Sequence, residues 1–191
     1  MNDIDNEEYK LLNAHYIQID NQEEIKQNIN MSLYRTHRDP WNTQYNSVDN
    51  FILAQYSKLK LTQMIEETKN NYKYILFMRP DCLYLDKFKI EWFDLINDNS
   101  IVIPNFHLDR LTKFNDRFSI TNLKTYKIYG EVFTQLLELS KKASLHSEKI
   151  IGNIIITNKI NIIHVKFNFQ RIRFDGQIAK LDKIFSVAIT S

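Results

Sequence analysis

The sequence predicts an α/β fold, a mixed sheet flanked by helices, and three observations carry that expectation. Tyr72-Lys73-Tyr74-Ile75-Leu76-Phe77-Met78 is an apolar run of strand length that stops abruptly at Arg79-Pro80-Asp81. A segment with helical periodicity precedes it, and a second compact strand, Ile101-Val102-Ile103-Pro104, follows after a short amphipathic piece. Helix, strand, short helix and strand in that order are the parts of a sheet built through crossovers.

The elements are read in chain order. His15 to Ile19 alternates polar and apolar residues and reads as a short strand, and Glu23 to Ile29 as a weak helix. Tyr34 to Tyr45 is polar, aromatic and interrupted by Pro40, the composition of an irregular, ligand-facing loop. Ser47 is a plausible N-cap for a long helix to about Lys69, with Val48, Phe51, Ile52, Tyr56, Leu59 and Ile65 roughly on one face. The strand ending at Asp81 comes next. Trp92, Phe93, Leu95 and Ile96 mark the amphipathic piece before the Ile101 strand.

Past Pro104 the chain runs through Asn105-Phe106-His107 to Asn115-Asp116-Arg117-Phe118-Ser119-Ile120, a polar cluster beside a strand-like aromatic stretch. A second long helix is expected from about Asn122 to Lys142, striped by Leu123, Tyr126, Phe133, Leu136 and Leu137. Gly130 lies inside it, at a cost of about 1 kcal/mol relative to Ala. Ser147 opens a further helix to Ile156, with a strand as the rival reading because of its β-branched content, and Ile160 to Val165 reads as a strand. In Phe167 to Gly176, Arg171 and Arg173 share one face if the chain is extended. The whole chain reads as one domain, residues 1–191, with its core at about 15–176 and a peripheral tail at 177–191.

Composition narrows the partners. Lys plus Arg number 25 against 23 for Asp plus Glu, so a net charge of +2 provides no field that favours nucleic acid. The single cysteine, Cys82, excludes an internal disulfide. No apolar run approaches the roughly 20 residues of a membrane span, and the polar start Met1 to Glu8 is unlike a signal peptide. A cytoplasmic protein is expected. The isolated Gly130, Gly152 and Gly176 provide neither a P-loop nor a dinucleotide fingerprint.

Several polar residues invite chemistry, and each has a plainer reading. Asp81 beyond a buried strand suits a hard divalent cation, with Arg79 as an anion-holding neighbour, but it equally suits an Arg–Asp pair that caps a turn. Asp116 and Glu148 are candidate general bases or, alternatively, a turn cap and a first-turn helix acid. Arg171 and Arg173 present planar guanidinium forks that suit a diphosphate, or simply guard an edge strand with charge. His37, His107 and His164 lack metal-ligand spacing, and no Gly-x-Ser-x-Gly elbow accompanies the serines. A nuclease pattern fails because no lysine stands two residues beyond Asp86.

Taken together, Tyr74 to Tyr84, Ile101 to Asn105, Asn115 to Ile120, His146-Ser147-Glu148 and Arg171 to Gly176 resemble, in order and spacing, the GT-A-type glycosyltransferase-like proteins of large DNA viruses and some microbes. The resemblance covers about Ser47 to Gly176. It implies a GT-A-like, Rossmann-like sheet and transfer of a sugar from a nucleotide-sugar donor to a glycan or protein hydroxyl. It also implies Mn²⁺ or Mg²⁺ at Asp81, phosphate binding by Arg79, Arg171 and Arg173, and Asp116, then Glu148, on the acceptor side. In a viral setting the compartment is the host cytoplasm. Leu83 stands where the second acid of an Asp-x-Asp element falls, and the polar start lacks the apolar strand that opens the nucleotide-binding unit. The chain is therefore expected to be an N-terminally truncated copy, with an inactive binding or structural remnant as the rival. An open sheet edge favours pairing between copies.

Overall fold

The computed structural model describes residues 8–173, 175–180 and 182. It is an α/β protein built on a four-stranded mixed sheet. The strands are β1 (Tyr74–Met78), β3 (Ser100–Pro104), β4 (Phe118–Asn122) and β5 (Asn161–Val165), in the order β1-β4-β3-β5. β4 runs antiparallel to both neighbours while β3 and β5 are parallel, so β1, β3 and β5 all point the same way. Their carboxyl ends, Met78, Pro104 and Val165, share one sheet edge with Phe118 at the start of β4. A second, two-stranded sheet, β2 (Cys82–Tyr84) with β6 (Phe169–Arg171), lies just past that edge.

Side chains alternate across the main sheet as the pleat requires. Ile75, Phe77, Ile101 and Ile103 face a helical layer of α2 (Asn46–Glu67), α3 (Tyr126–Gly130), α4 (Phe133–Ser140) and α5 (Ser147–Thr157). Val102, Phe118 and Ile120 face the other way, onto Trp92, Phe167 and Phe169. The sequence predicts a sheet flanked by helices; the helical layer covers one face, and the second is covered by aromatic rings, with Phe167 edge-on to Trp92 and Phe118. Residues Ile90–Leu95 contribute to it only as a 3₁₀ helix.

The long strand and helix readings hold at β1, β3, β5, α2 and α5, and α1 (Gln22–Ile29) matches the weak first helix, with its amide at Glu23 capped by Asn21. Four details differ. The strand read at His15 to Ile19 is irregular backbone, because its alternation finds no neighbouring strand. Ser47 lies inside α2 rather than capping it: Tyr45, in the left-handed region at φ 66°, is the cap, and Thr43 Oγ1 accepts from the Ser47 amide. The helix expected over 122–142 is two helices, α3 and α4, joined by i→i+3 bonds from Thr134 to Glu131 and Gln135 to Val132. Its buried stripe of Tyr126, Tyr129, Val132 and Leu136 continues through the join.

The fourth difference is the tail. The Ile178 bridge to Ile172 folds it back, and Ala179 and Asp182 are buried at 2% and 3% exposure. Met1 to Glu7, Phe174, Leu181 and 183–191 lie outside the described residues. No helix among the described residues is long and apolar enough to cross a membrane.

Candidate functional site

The carboxyl edge of the sheet gathers charge because the strand β1 ends there in Arg79-Pro80-Asp81 and β4 starts there just after Asn115-Asp116-Arg117. β1 is followed by Arg79, Pro80 and Asp81. Pro80 cannot donate to a ladder, so the sheet stops and the chain turns into β2. The Asp81 carbonyl accepts from the Ile172 amide at 2.8 Å, which ties this turn to the end of β6. The loop beyond β3 is fastened to the start of β4 by one buried side chain: Asn115 Nδ2 donates to Phe106 O at 2.6 Å and its Oδ1 accepts from the Arg117 amide at 2.9 Å. Asn115 thereby fixes Asp116 and Arg117 at the mouth of the sheet.

Arg79 and Asp81 form a bidentate pair, Nε to Oδ1 at 2.8 Å and Nη2 to Oδ2 at 2.6 Å. Burial tends to raise the Asp81 carboxyl, and Arg79 overrides it and holds it below the usual range. Arg171 is paired in the same way with Asp182, Nε to Oδ2 at 3.0 Å and Nη2 to Oδ1 at 2.8 Å, while the Arg171 amide also donates to Oδ2. Against the raising effect of burial, those bonds take Asp182 down to about 2. His107 stands 3.7 Å from Asp182, and burial, with Arg117 nearby, lowers its imidazole to about 4 so that it is neutral at pH 7.

Arg117 is less well matched. Its Nη2 is 3.7 Å from Glu148 Oε1, beyond hydrogen-bonding distance, and its buried Nη1 has no partner among the described residues. Leaving a buried donor of this kind unmade costs about 1–3 kcal/mol, more for a charged group. Burial lowers its pKa, and Arg171 is the next cause, so the two guanidinium groups repel one another across the site. Glu148, in the first turn of α5, accepts from Ser147 Oγ at 2.5 Å and stands 3.6 Å from His146, whose ring stacks on Trp41.

Beneath these lies Lys58, carried on α2. Its Nζ donates to Tyr129 Oη at 2.7 Å and to Asp116 O at 3.3 Å, and Tyr129 Oη donates to the same carbonyl at 2.9 Å. Burial lowers the lysine to about 8, opposed by the Asp116 charge. Of the acids at this edge, Asp81, Asp182 and Glu148 accept hydrogen bonds from side chains, and the Asp116 carboxylate accepts none among the described residues.

The structure thus brings Arg79, Asp81, Asp116, Glu148 and Arg171 to one edge. Arg173 does not join them. β6 ends at Arg171, and Arg173 is an exposed turn residue whose amide donates to Gln177 O. Sequence reasoning passed over Lys58, Arg117 and Asp182. Lys58 had a legible signal, since Gln55, Lys58 and Thr62 recur at helical spacing along the inward face of α2. The Tyr34 to Tyr45 loop spends its polarity on structure: Asp39 accepts from the amides of Trp41, Thr43 and Tyr45, Arg35 pairs with Asp49, and Thr36 Oγ1 donates to Ser140 O.

A divalent cation does not fit the residues as they stand. Both oxygens of Asp81 are engaged by Arg79, and no group of three His, Cys, Asp or Glu among the described residues converges on a point. Comparison with family models, with curated proteins and with solved structures finds no match to this chain.

Proposed function

We propose that the chain is a GT-A-like glycosyltransferase domain that moves a sugar from a nucleotide sugar to a hydroxyl of a glycan or protein at the carboxyl edge of the sheet. The observation that carries the reading is the Asp116 carboxylate, which accepts no side-chain hydrogen bond among the described residues while the acids around it are paired, and whose charge acts on Lys58, Arg79, Arg117 and Arg171. Support also comes from the mixed sheet, where the single antiparallel strand separates the strand ending in Arg79-Pro80-Asp81 from the next parallel one. Ligands in open α/β sheets collect at this end.

In the reaction, the acceptor oxygen forms a bond to the anomeric carbon as the bond from that carbon to the diphosphate breaks. The diphosphate leaves with the electron pair, and the acceptor proton passes to Asp116. Glu148, partnered by Ser147, orients the neighbouring loop or serves as the second base. Isothermal calorimetry with a panel of nucleotide sugars, with Mn²⁺ and with EDTA, tests the reading. Binding of at least one donor, with transfer lost in Asp116→Asn, is expected; silence toward every donor under both conditions would sink it.

The rival, a non-catalytic remnant that acts by binding, draws on a different observation. β1 is a sheet edge, and beside it lies a groove of about 510 Å³ lined by Leu61, Met64, Ile65, Tyr72, Ile75 and Phe77. A second copy suits this edge. Antiparallel self-pairing centred on Leu76 sets Tyr74 against Met78 and Ile75 against Phe77, an apolar ladder, with Lys73 of each copy meeting Arg79 of the other just beyond its ends.

A further inference from the structure

We propose that Arg117, with Arg79 and Arg171 at the same end of the sheet, is the receptor for a phosphoanion, and that guanidinium groups rather than a divalent cation neutralise it; that the anion is the diphosphate of a nucleotide sugar rests on the reading above. Three features of the site converge on this. Arg117 has a buried Nη1 without a partner among the described residues and only a distant carboxylate at Nη2. The pairings of Arg79 and Arg171 use Nε and Nη2, and Nη1 of each makes no hydrogen bond among the described residues. Asp81, the position where a cation is expected, is occupied on both oxygens by Arg79.

The chemistry follows from the forked geometry of the side chain. A phosphate oxygen accepts two parallel N–H bonds from one guanidinium, and a diphosphate offers enough oxygens to engage several at once. The positive charge of Arg171 acts on Arg117, and an anion bound by both turns that repulsion into attraction. The Arg117 side chain is 12% exposed, so part of the guanidinium is open to solvent, and binding through Nη1 requires the side chain to shift. Its amide stays on Asn115 while the side chain moves. The neutral His107 beside Asp182 adds no competing charge.

Calorimetry of the full chain with inorganic pyrophosphate, in EDTA and again in Mg²⁺, separates the possibilities. Binding in EDTA is expected, weakened about 10- to 100-fold in Arg117→Ala, the loss of a charged hydrogen-bonding pair, and less in Arg117→Lys, which keeps the charge but not the fork. Arg110→Ala, at an exposed arginine, is the control. Circular dichroism confirms each variant's fold, and if Arg117→Ala fails to fold, the Lys variant carries the comparison. Pyrophosphate binding that requires Mg²⁺, or that is unchanged in the Arg117 variants, overturns the proposal. Pyrophosphate binding in EDTA with no nucleotide sugar bound upholds the anion site and removes the glycosyltransferase reading; metal-dependent donor binding without pyrophosphate binding in EDTA does the reverse.

Discussion

At the scale of single residues, two titrations follow from the site. Asp182 is depressed to about 2 in the folded chain, below the unfolded value near 4, so the folded state refuses a proton that the unfolded chain accepts between those values. Its stabilisation is therefore complete above pH 4 and is lost as pH falls through about 2. Asp182→Asn should remove about 2 kcal/mol at pH 7 and flatten that acid limb, as read by urea unfolding from pH 2 to 7. Lys58 has the opposite slope. Its folded value of about 8 lies below the unfolded value near 10.4, so the unfolded chain holds more protons in that window and stability rises from pH 8 to 10.4. Lys58→Met should abolish the rise, and a wild-type curve superimposable on the mutant's over that range would contradict the buried ammonium.

At the scale of elements, glycines record where a neighbouring segment presses against a helix. Gly152 is in mid-α5, where Ala would ordinarily gain about 1 kcal/mol of propensity. Packing overrides this: a Cβ there would stand 2.5 Å from Thr112 Cβ and 2.8 Å from Phe114 Cβ, in the loop that leads to Asn115 and Arg117. Gly152→Ala should therefore cost about 1–3 kcal/mol of thermal stability and shift the Arg117 loop. Gly130, which looked like a mere helical weakness, faces Thr62 of α2, with a Cβ position 2.0 Å from Thr62 Oγ1. The elements themselves were largely legible because α2, β1, β3, α5 and β5 carry unbroken periodic patterns. The pair β2 and β6 was not, since three-residue strands have no measurable period and only their mutual pairing makes them strands. The break between α3 and α4 was equally silent, because its buried stripe keeps helical spacing across the join.

At the scale of the whole molecule, the open side of β1 and the groove beside it predict self-association. Sedimentation velocity should show a concentration-dependent dimer that Leu76→Lys disrupts, and a monomer at every concentration would exclude pairing through this edge. The sequence by itself determined the α/β class and the presence of acids and arginines at strand ends, because hydrophobic period and the break at Pro80 are local properties of the chain. Only the tertiary structure decided the partners. It closed Asp81 on Arg79, the plainer of its two sequence readings, buried Asp182 against Arg171 and turned Arg173 out to solvent. It also left Asp116 and Arg117 without hydrogen-bonding side-chain partners among the described residues. Pairing depends on distances between segments far apart in the chain, and no local pattern encodes which charge reaches which.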